Sequence, residues 1–378
     1  MYLLEHDAKT LLAHHGISIP QGCLQTDPAG TEALPPGPWV VKGQITAGGR
    51  GKAGLIKKAA TAAEVAARAA EIIGKSAKGR TVRAVRVEQQ VNGASEAYIA
   101  MMLDPAAAGV RIIMAAQGGM DIETLPREAL HADTAPADGA ALAAAAERLA
   151  VTFDASLRQA LTEAGRALAG AFVTTEALLI EINPLFVSSD GSWVAGDAKF
   201  VTDDNALPRQ PAQRALLEDV RGPYLETAVK DAHGCDYVVV DPAGEIALLT
   251  TGAGLSMMLI DEMRAAGLKP YNFLDIRTGG LRGETRRLVS VLQWMHQGAN
   301  VQVLLINIFA GITELGEFSR LLVSALRAVP EFKVPVVARL VGNGMETART
   351  VLAEAGITLH SDLDAALLEA RTHVEARK

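Results

Sequence analysis

The sequence predicts an α/β chain in two parts, a mixed α+β first half followed by a doubly wound parallel sheet. Its 378 residues exceed the usual size of a single domain. Strand-like runs with hairpin spacing dominate the first half, whereas apolar runs alternate with helical stretches in the second half. The stretch 205–230 is rich in proline and charge and is expected to join the halves. We therefore expect one domain at 1–225 and another at 226–378.

The first half carries signals for three helices and several strands. A helix is predicted at 5–15, and a second at 61–74, where Thr61 and Glu64 form a capping box. The alanine-rich stretch 135–150 predicts a third helix. Strands are predicted for PWVVKGQ, TVRAVRVEQQV and EAYIAMMLD, and their spacing is typical of hairpins.

Five strand–helix units are predicted in the second half. The strands are EIALLT (245–250), NFLDI (272–276), VQVLLIN (301–307), VPVVARL (334–340) and ITLH (357–360), and helices follow at about 255–267, 284–297, 316–329, 345–355 and 362–374. Gly267, Gly298 and Gly356 lie where helix C-caps are expected, and Ser361 lies where an N-cap is expected. Because hairpin signals are missing from these connections, we expect the strands to be parallel.

Composition narrows the possible functions. Apolar residues make up 49% of the chain and charged residues 21%, which is typical of a globular protein. The net charge of -7 disfavours binding to nucleic acid or to an anionic membrane. Cys23 and Cys235 allow one disulfide at most and form no metal motif. Without a signal peptide or an apolar run long enough to cross a bilayer, the expectation is a cytoplasmic protein that handles metabolites.

The segment VVKGQITAGGRGKAG (40–54) is the most informative motif. A predicted strand ends near Lys42 and enters a loop in which Gly48, Gly49 and Gly51 alternate with basic residues, Arg50 among them. Glycines let backbone N–H groups approach an anion closely, and the cations neutralise its charge, so the loop suits a phosphate. The spacing differs from that of a P-loop. The alternative is a surface loop with solvated charges.

A second motif is the predicted hairpin ALLIEINPLFV–SSDGS–WVAGDAKF (177–200). If its turn is centred on Asp190, Asn183 lies opposite Asp197 and Glu181 lies opposite Lys199. All four side chains then share one face of the sheet. An amide oxygen facing a carboxylate suits Mg²⁺ that also holds nucleotide phosphates. The alternative is an ordinary polar face with a cross-strand ion pair.

Three glycine-rich turns follow strands of the second half: LTTGAGLSM (249–257), IRTGGLRGE (276–284) and FAGITELGE (309–317). In a parallel sheet all three lie at the carboxyl edge, where such folds bind ligands, and Arg277 and Arg282 add positive charge there. Each turn alone could be an ordinary connection. Met257 replaces the third glycine of a dinucleotide fingerprint, which disfavours a nicotinamide-dependent oxidoreductase. No Ser/His/Asp or Cys/His set stands out, which disfavours hydrolase and thiol chemistry.

Together with the opening LLEHDAKTLLAHHGI, these motifs make the chain resemble the β subunits of ADP-forming succinyl-CoA synthetase and malate–CoA ligase. The resemblance covers nearly the whole chain and includes WVVKGQITAGGRGKAG, VEQQVNGASEAYI, QGGMDIE, LIEINPL, DDNAL, GAGLSM, NFLDI, NIFAGI and VPVVARL. QGGMDIE and DDNAL favour the malate type. The resemblance implies an ATP-grasp fold for 1–225 and a flavodoxin-like CoA-ligase domain for 226–378.

The resemblance also implies roles for individual residues. It places Lys42, Gly49, Arg50, Gly51, Glu88, Val91 and Glu96 at the nucleotide, Asn183 and Asp197 at Mg²⁺, and Thr251, Gly311, Ile312 and Thr313 at the carboxylate substrate. Glu181 is the implied catalytic residue and faces a phosphohistidine loop. Arg277 joins the substrate group because of its charge at the sheet edge.

The implied reaction consumes ATP or GTP, CoA and a small dicarboxylic acid. An acyl phosphate and a phosphohistidine exchange the phosphoryl group, and CoA then attacks the acyl phosphate. The resemblance implies that the phosphohistidine and the main CoA site belong to an α subunit, and no matching sequence occurs in this chain. Neither nucleic acid nor a membrane is an expected partner. The choice of acid, the choice between ATP and GTP, and an αβ or α₂β₂ assembly stay open.

This sequence departs from the family pattern around the expected acid and phosphohistidine sites. Thr251 replaces an asparagine, IRTGGLRG replaces a glycine run, and TELGEF replaces the usual continuation after NIFAGI. All three changes affect the substrate and phosphohistidine end, whereas the nucleotide motifs are intact. The alternative function is therefore a non-catalytic ATP-binding regulator, against which the retained Glu181, Asn183 and Asp197 argue.

Overall fold

The computed structural model describes residues 1–30, 33–92, 94–120, 122–218, 222–277, 283–311 and 313–377. The chain divides into two compact units, Met1–Tyr224 and Leu225–Lys378. Within the described ranges, no helix is both long enough and apolar enough to cross a membrane.

The first unit is a mixture of helices and antiparallel strands. Its helices are α1 (Glu5–His14), α2 (Ala62–Ile72), α3 (Gly139–Ala150), α4 (Ala155–Thr174) and α5 (Pro211–Ala215). Its strands are β1 (Gly22–Gln25), β2 (Trp39–Gly43), β3 (Ile56–Ala59), β4 (Ser76–Ala77), β5 (Arg80–Thr81), β6 (Val85–Gln89), β7 (Ser95–Asp104), β8 (Gly109–Ala115), β9 (His131–Ala135), β10 (Ala177–Val187), β11 (Trp193–Ala195) and β12 (Ala198–Thr202). The three predicted helices are present, with ends that differ by a few residues.

Two antiparallel sheets organise this unit. The small sheet has the order β1-β6-β2-β3, and α2 packs against it. The large sheet has the order β11-β10-β7-β8-β9, and β12 also pairs with β10. Helices α3 and α4 pack together on the large sheet because small residues let them approach closely. A Cβ at Gly165 would lie only 2.6 Å from the Cβ of Ala146.

The hairpin of β10 with β11 and β12 has the predicted register. Glu181 pairs with Lys199, and the backbone N–H of Asn183 donates to the carbonyl of Asp197 at 3.3 Å. The first residues of the chain pair with the other side of this hairpin, because Tyr2 forms an antiparallel bridge with Val201 on β12.

The second unit is the expected parallel α/β sheet. Its strands are β13 (Asp236–Val239), β14 (Ile246–Thr250), β15 (Asn272–Asp275), β16 (Val303–Ala310), β17 (Val336–Gly342) and β18 (Leu359–His360). Its helices are α6 (Leu225–His233), α7 (Ala253–Ala265), α8 (Arg286–His296), α9 (Leu315–Ala328), α10 (Met345–Glu354) and α11 (Leu363–Glu375). The five predicted strand–helix units are confirmed, whereas the predictions did not include β13, which pairs antiparallel with β15.

The parallel strands β14, β16, β17 and β18 are neighbours in that order. β15 lies on the other side of β14, since the N–H of Ile276 donates to the carbonyl of Thr250 at 2.9 Å. In chain order of the five predicted strands the arrangement is therefore 2-1-3-4-5, the flavodoxin-like order. One boundary differs from expectation. Asp362 rather than Ser361 caps α11, because its carboxylate accepts from the N–H of Ala365 at 2.9 Å.

The strands of this sheet are apolar on both faces because helices cover both. Leu248, Leu305 and Val337 face one apolar cluster, whereas Leu249, Ile306 and Ala338 face the other. Burial on both sides accounts for the continuous apolar runs that the sequence shows at these strands.

A buried amide joins β14 to β15. The Asn272 side chain accepts from the N–H of Leu248 and donates to the carbonyl of Leu248, both at 2.9 Å. We expect Asn272→Ala to lower the free energy of unfolding by about 2–4 kcal/mol, because it leaves a buried donor and a buried acceptor without partners. Urea unfolding measures the change. Asn300→Ala, at an exposed asparagine, is the control and is expected to stay within about 0.5 kcal/mol of wild type. Equal stability of the two variants would contradict this account of the strand contact.

Candidate functional site

A group of charged residues, all buried except the half-buried Asp197, joins α1 to the small and large sheets of the first unit. We call it the ion cluster, and its members are Glu5, Lys9, Lys42, Arg50, Arg86, Glu88 and Asp197. The local structure explains most of its positions. Glu5 and Lys9 lie one turn apart on the buried face of α1. Lys42 on β2 pairs with Arg86 on β6, and Glu88 shares their face of the small sheet.

Lys42 is held by three acceptors. Its Nζ lies 2.9 Å from Glu5 Oε1, 2.6 Å from Glu88 Oε1 and 2.6 Å from the Gly196 carbonyl. Lys9 binds the same two carboxylates, at 2.8 Å and 2.7 Å, and the same carbonyl at 2.8 Å. Both lysines are buried, and a buried charge is tolerated only when it is paired in this way. The cluster therefore fixes where the Lys42 ammonium can lie.

The pairing keeps Glu5 and Lys42 ionised, whereas burial lowers the pKa of Lys9 and raises the pKa of Asp197. Burial alone would raise the pKa of the Glu5 carboxyl, but Arg50, Lys42 and Lys9 outweigh burial and hold that pKa well below its usual value. Burial would lower the pKa of Lys42, yet Glu5 and Glu88 raise it above its usual value.

Arg50 connects the glycine-rich loop to the cluster. Its Nη1 lies 2.6 Å from Glu5 Oε2, and its Nη2 lies 2.6 Å and 2.7 Å from the two carboxylate oxygens of Asp197. Gly49 has a φ of +79°, a conformation that glycine adopts without strain. The loop holding Gly49 and Gly51 is thus anchored through Arg50 to the carboxylate of Glu5, which also binds Lys42.

Asn183 is positioned by a segment that follows β8. Its Oδ1 accepts from the N–H of Gly119 at 2.7 Å, and its Nδ2 donates to the carbonyl of Met120 at 2.9 Å. Gly119 has a φ of +73°, and a Cβ there would overlap a carboxylate oxygen of Glu96. Glu96 on β7 and Asn183 on β10 therefore meet at the QGGM segment.

Glu181 lies on the same sheet face as Asn183 and Asp197. Its side chain is largely buried, and burial raises the pKa of its carboxyl. The Lys199 ammonium, which lies 3.8 Å from the carboxylate, acts in the opposite direction. A carboxyl of this kind binds a proton more readily than a solvated glutamate does.

The structure thus brings together most of the first-unit residues that the sequence singled out. Lys42, Glu88 and the loop with Gly49, Arg50 and Gly51 belong to the small sheet or follow its strand β2, whereas Glu96, Glu181, Asn183 and Asp197 belong to the large sheet and its connections. The ion pair of Arg50 with Asp197 joins the two sets, and we call the region where they meet the cleft. The carboxylate of Glu88 binds Lys9, Lys42 and Arg86, so it acts on Lys42 directly. Val91 follows β6 and is half-buried.

Residue-by-residue reasoning missed Glu5, Lys9, Arg86 and Gly119. A signal existed for the first two, because an acid and a base four residues apart share the buried face of α1 with Ala8 and Leu12. The paired glycines after a strand were the signal for Gly119.

The second-unit candidates lie at the carboxyl ends of β14 and β16. The Oγ1 of Thr251 is buried and finds no hydrogen-bond partner in the described ranges. The neighbouring Gly252 N–H donates to Asp275 Oδ1 at 2.9 Å. Gly311 and Thr313 follow β16, the strand that pairs with β14. Ile312 lies outside the described residues, as does Arg282.

Arg277 is in contact with an acidic side chain. Its Nη2 lies 2.5 Å from Asp236 Oδ2, and Lys230 binds the other oxygen of Asp236 at 3.1 Å. The Arg277 side chain is 54% exposed, so it stays accessible to a second anion.

Two family models match the chain, one in each unit. The ATP-grasp domain model matches residues 2–187, and the CoA-ligase model matches residues 249–373. An ATP-grasp domain therefore precedes a CoA-ligase domain.

Similar proteins match nearly the full length. The β subunit of ADP-forming succinate–CoA ligase from Chloroflexus aurantiacus is 38% identical over 94% of this chain and 94% of its own. A probable malate–CoA ligase subunit β from Mesorhizobium japonicum is 34% identical over 94% of this chain and 93% of its own.

A solved structure shares the fold. ATP citrate lyase from Methanothrix soehngenii, in complex with citrate and coenzyme A, superposes with a TM-score of 0.67 at 20% identity and covers 95% of each chain. Since relatives above 30% identity span almost the entire sequence, the chain belongs to the family of β subunits of ADP-forming succinate–CoA and malate–CoA ligases, which are acid–thiol ligases.

Proposed function

We propose that this chain is the nucleotide-using β subunit of an ADP-forming dicarboxylate–CoA ligase. The observation that carries the proposal is the ion cluster, which holds Lys42 and Arg50 beside the glycine-rich loop and opposite Asp197. The ion cluster itself holds four cations and three carboxylates, and two of the cations, Lys42 and Arg50, lie beside the glycine-rich loop, which favours an anion there. The names of the relatives support an ATP-dependent acid–CoA ligase.

ATP or GTP is expected to bind in the cleft of the first unit, in the ATP-grasp domain expected over 1–225. Backbone N–H groups of Gly49 and Gly51 surround the phosphates, and Lys42 and Arg50 neutralise them. Val91 and Glu96 complete the proposed nucleotide site. Phosphoryl transfer depends mainly on positioning and charge neutralisation, which such a rigid set of charges provides.

The residues facing this cleft fit Mg²⁺. Asn183 and Asp197 supply an amide oxygen and a carboxylate, which are hard oxygen ligands, and Mg²⁺ commonly takes only one or two protein ligands beside substrate phosphates. Asn183 Oδ1 accepts one hydrogen bond, from Gly119, and keeps a second lone pair. Arg50 binds Asp197, so a polyphosphate that attracts Arg50 also frees Asp197 for a cation. A bound Mg²⁺ would neutralise negative charge on the phosphates.

Glu181 is the proposed catalytic residue for transfer to a phosphohistidine. The α subunit supplies that histidine together with the main CoA site. A carboxylate at this position accepts the imidazole N–H and so orients the other ring nitrogen towards the phosphoryl group. Burial strengthens this hydrogen bond because water competes less.

The second unit, expected to be the CoA-ligase domain over 226–378, is the proposed place for the acid. Thr251, Gly311, Ile312 and Thr313 are the proposed contacts, and Arg277 adds a guanidinium that can bind a carboxylate. The unpartnered Oγ1 of Thr251 supports this assignment, because a buried hydroxyl normally has a partner. Succinate and malate are the first acids to test.

The division of labour between subunits can be tested directly. We expect the purified chain to bind Mg·ATP but to form no acyl-CoA, and adding its α subunit should give ADP and acyl-CoA in equal amounts. Mass spectrometry of the products over a panel of dicarboxylic acids measures both. Ligation by the chain alone would refute the need for an α subunit. Absence of acid-dependent ADP formation with every acid would refute the ligase function.

The metal assignment predicts a loss of turnover in one variant. Asp197→Ala should lower Mg²⁺-dependent ADP formation by about a hundredfold or more, the scale on which removing one preorganised charge-stabilising group acts. Asp190→Ala, in the exposed turn of the same hairpin, is the matched control. Circular dichroism verifies the fold of both. If Asp197→Ala retains full turnover, the assignment of Asp197 to Mg²⁺ is wrong.

The role of Arg277 predicts a selective change in kinetics. If Arg277 binds the acid, Arg277→Ala should raise KM for the acid roughly 10- to 100-fold and leave KM for ATP unchanged. If it instead steadies the phosphoryl group, kcat should fall equally for every acid. Lys230→Ala removes the other cation bound to Asp236 and is the matched control. Identical kinetics of both variants and wild type would exclude Arg277 from the site.

A further inference from the structure

Tyr2 lies next to the glycine-rich loop and to Lys199. Its backbone bridges to Val201, and the flanking N–H of Leu3 donates to the carbonyl of Phe200 at 2.9 Å. Residues directly opposite each other in a strand pair share a face. The Tyr2 side chain therefore lies on the face of β12 that carries Lys199, the residue paired with Glu181.

The Tyr2 ring extends to the glycine-rich loop. The Lys199 Nζ lies 5.7 Å from the ring centroid, which is a cation–π distance. The phenol oxygen lies 3.6 Å from the position that a Cβ on Gly48 would occupy. The hydroxyl is thus at the start of the loop that is proposed to surround the phosphates.

The hydroxyl is suited to donate a hydrogen bond. Burial raises the pKa of Tyr2 to about 12, Arg50 opposes the shift, and Asp197 and Glu181 add to it, so the phenol is protonated at neutral pH. In the described ranges no side chain or backbone group forms a hydrogen bond with this hydroxyl. The same charges show that the phenol lies near Arg50 and Asp197, at the proposed phosphate site, and near the proposed transfer residue Glu181.

We infer that Tyr2 contacts the substrate, and that its hydroxyl donates a hydrogen bond to the terminal phosphoryl group of the bound nucleotide. This inference rests on the proposed function, since it requires a nucleoside triphosphate in the cleft. A neutral donor binds a phosphoryl oxygen without adding to the positive charge of the ion cluster. It therefore positions the phosphoryl group but binds it less tightly than another cation would, which suits a group that is next transferred to a histidine.

The test compares nucleotides that differ only in their phosphates. Isothermal titration calorimetry of the full chain with Mg²⁺ and AMP-PNP, ADP or AMP measures affinity for wild type and Tyr2→Phe. The phenylalanine keeps the ring and its contact with Lys199 but removes the hydroxyl. We expect about tenfold weaker binding of AMP-PNP, as for loss of one hydrogen bond to a charged group, and unchanged binding of ADP and AMP. Tyr271→Phe, in the second unit, controls for loss of a tyrosine hydroxyl elsewhere.

The outcomes separate this inference from the proposed function. Failure of wild type to bind AMP-PNP at all would overturn the proposed nucleotide site. If wild type binds and Tyr2→Phe binds all three nucleotides equally well, the inference about Tyr2 is wrong. A similar loss for AMP-PNP, ADP and AMP would also overturn it, because a purely structural role would weaken every nucleotide. With the α subunit present, kcat for ADP formation should fall for every acid to the same extent.

Discussion

The ion cluster is the constraint on which the nucleotide-binding unit depends. Six of its seven charged side chains lie in an interior from which water is largely excluded, Asp197 is half-buried, and each buried charge is tolerable only because it is paired. Removing one partner from a buried ion pair typically costs about 3–5 kcal/mol, which is a large fraction of the stability of a domain. Replacing the whole set by apolar residues would often cost little. The cluster is therefore poorly explained by stability alone and well explained by the need to hold Lys42 and Arg50 in fixed positions.

Much of this constraint was invisible in the sequence because it comes from distant segments. Lys42, Arg50 and the Asn183–Asp197 pair could be predicted, since a strand period and a hairpin turn are local patterns. Glu5 and Lys9 could be placed on one helix face, but nothing local indicates that this face covers the small sheet. The bond from Gly119 to Asn183 joins residues 64 positions apart. Such contacts depend on how β8 and β10 are arranged in the sheet, and no periodicity specifies that arrangement.

The second unit was easier to predict because its connections are local. Each parallel strand is followed by its own helix, and glycine marks several of the helix ends, as Gly267 and Gly356 do with φ values of +73° and +72°. β13 was missed because its run DYVVV is short and is preceded by a helix rather than a turn. β15 lies beside β14 through backbone bonds of Tyr271 and Ile276 and through the buried amide of Asn272, which forms two more bonds with Leu248 between them. Its polarity gave no indication of that role.

The backbone geometry around its two glycines explains the QGGM segment (117–120), which the sequence alone marked only by its resemblance to the family. The N–H of Gly118 donates to the carbonyl of Glu96 at 2.9 Å, and a Cβ on Gly118 would overlap the backbone of Ala97. Gly119 needs both a positive φ and space for the Glu96 carboxylate, so a side chain is excluded twice at this position. Two adjacent glycines therefore let the chain leave β8 while staying close to β7, and this path brings one N–H to Asn183. The orientation of a proposed metal ligand thus depends on two residues that have no side chain of their own.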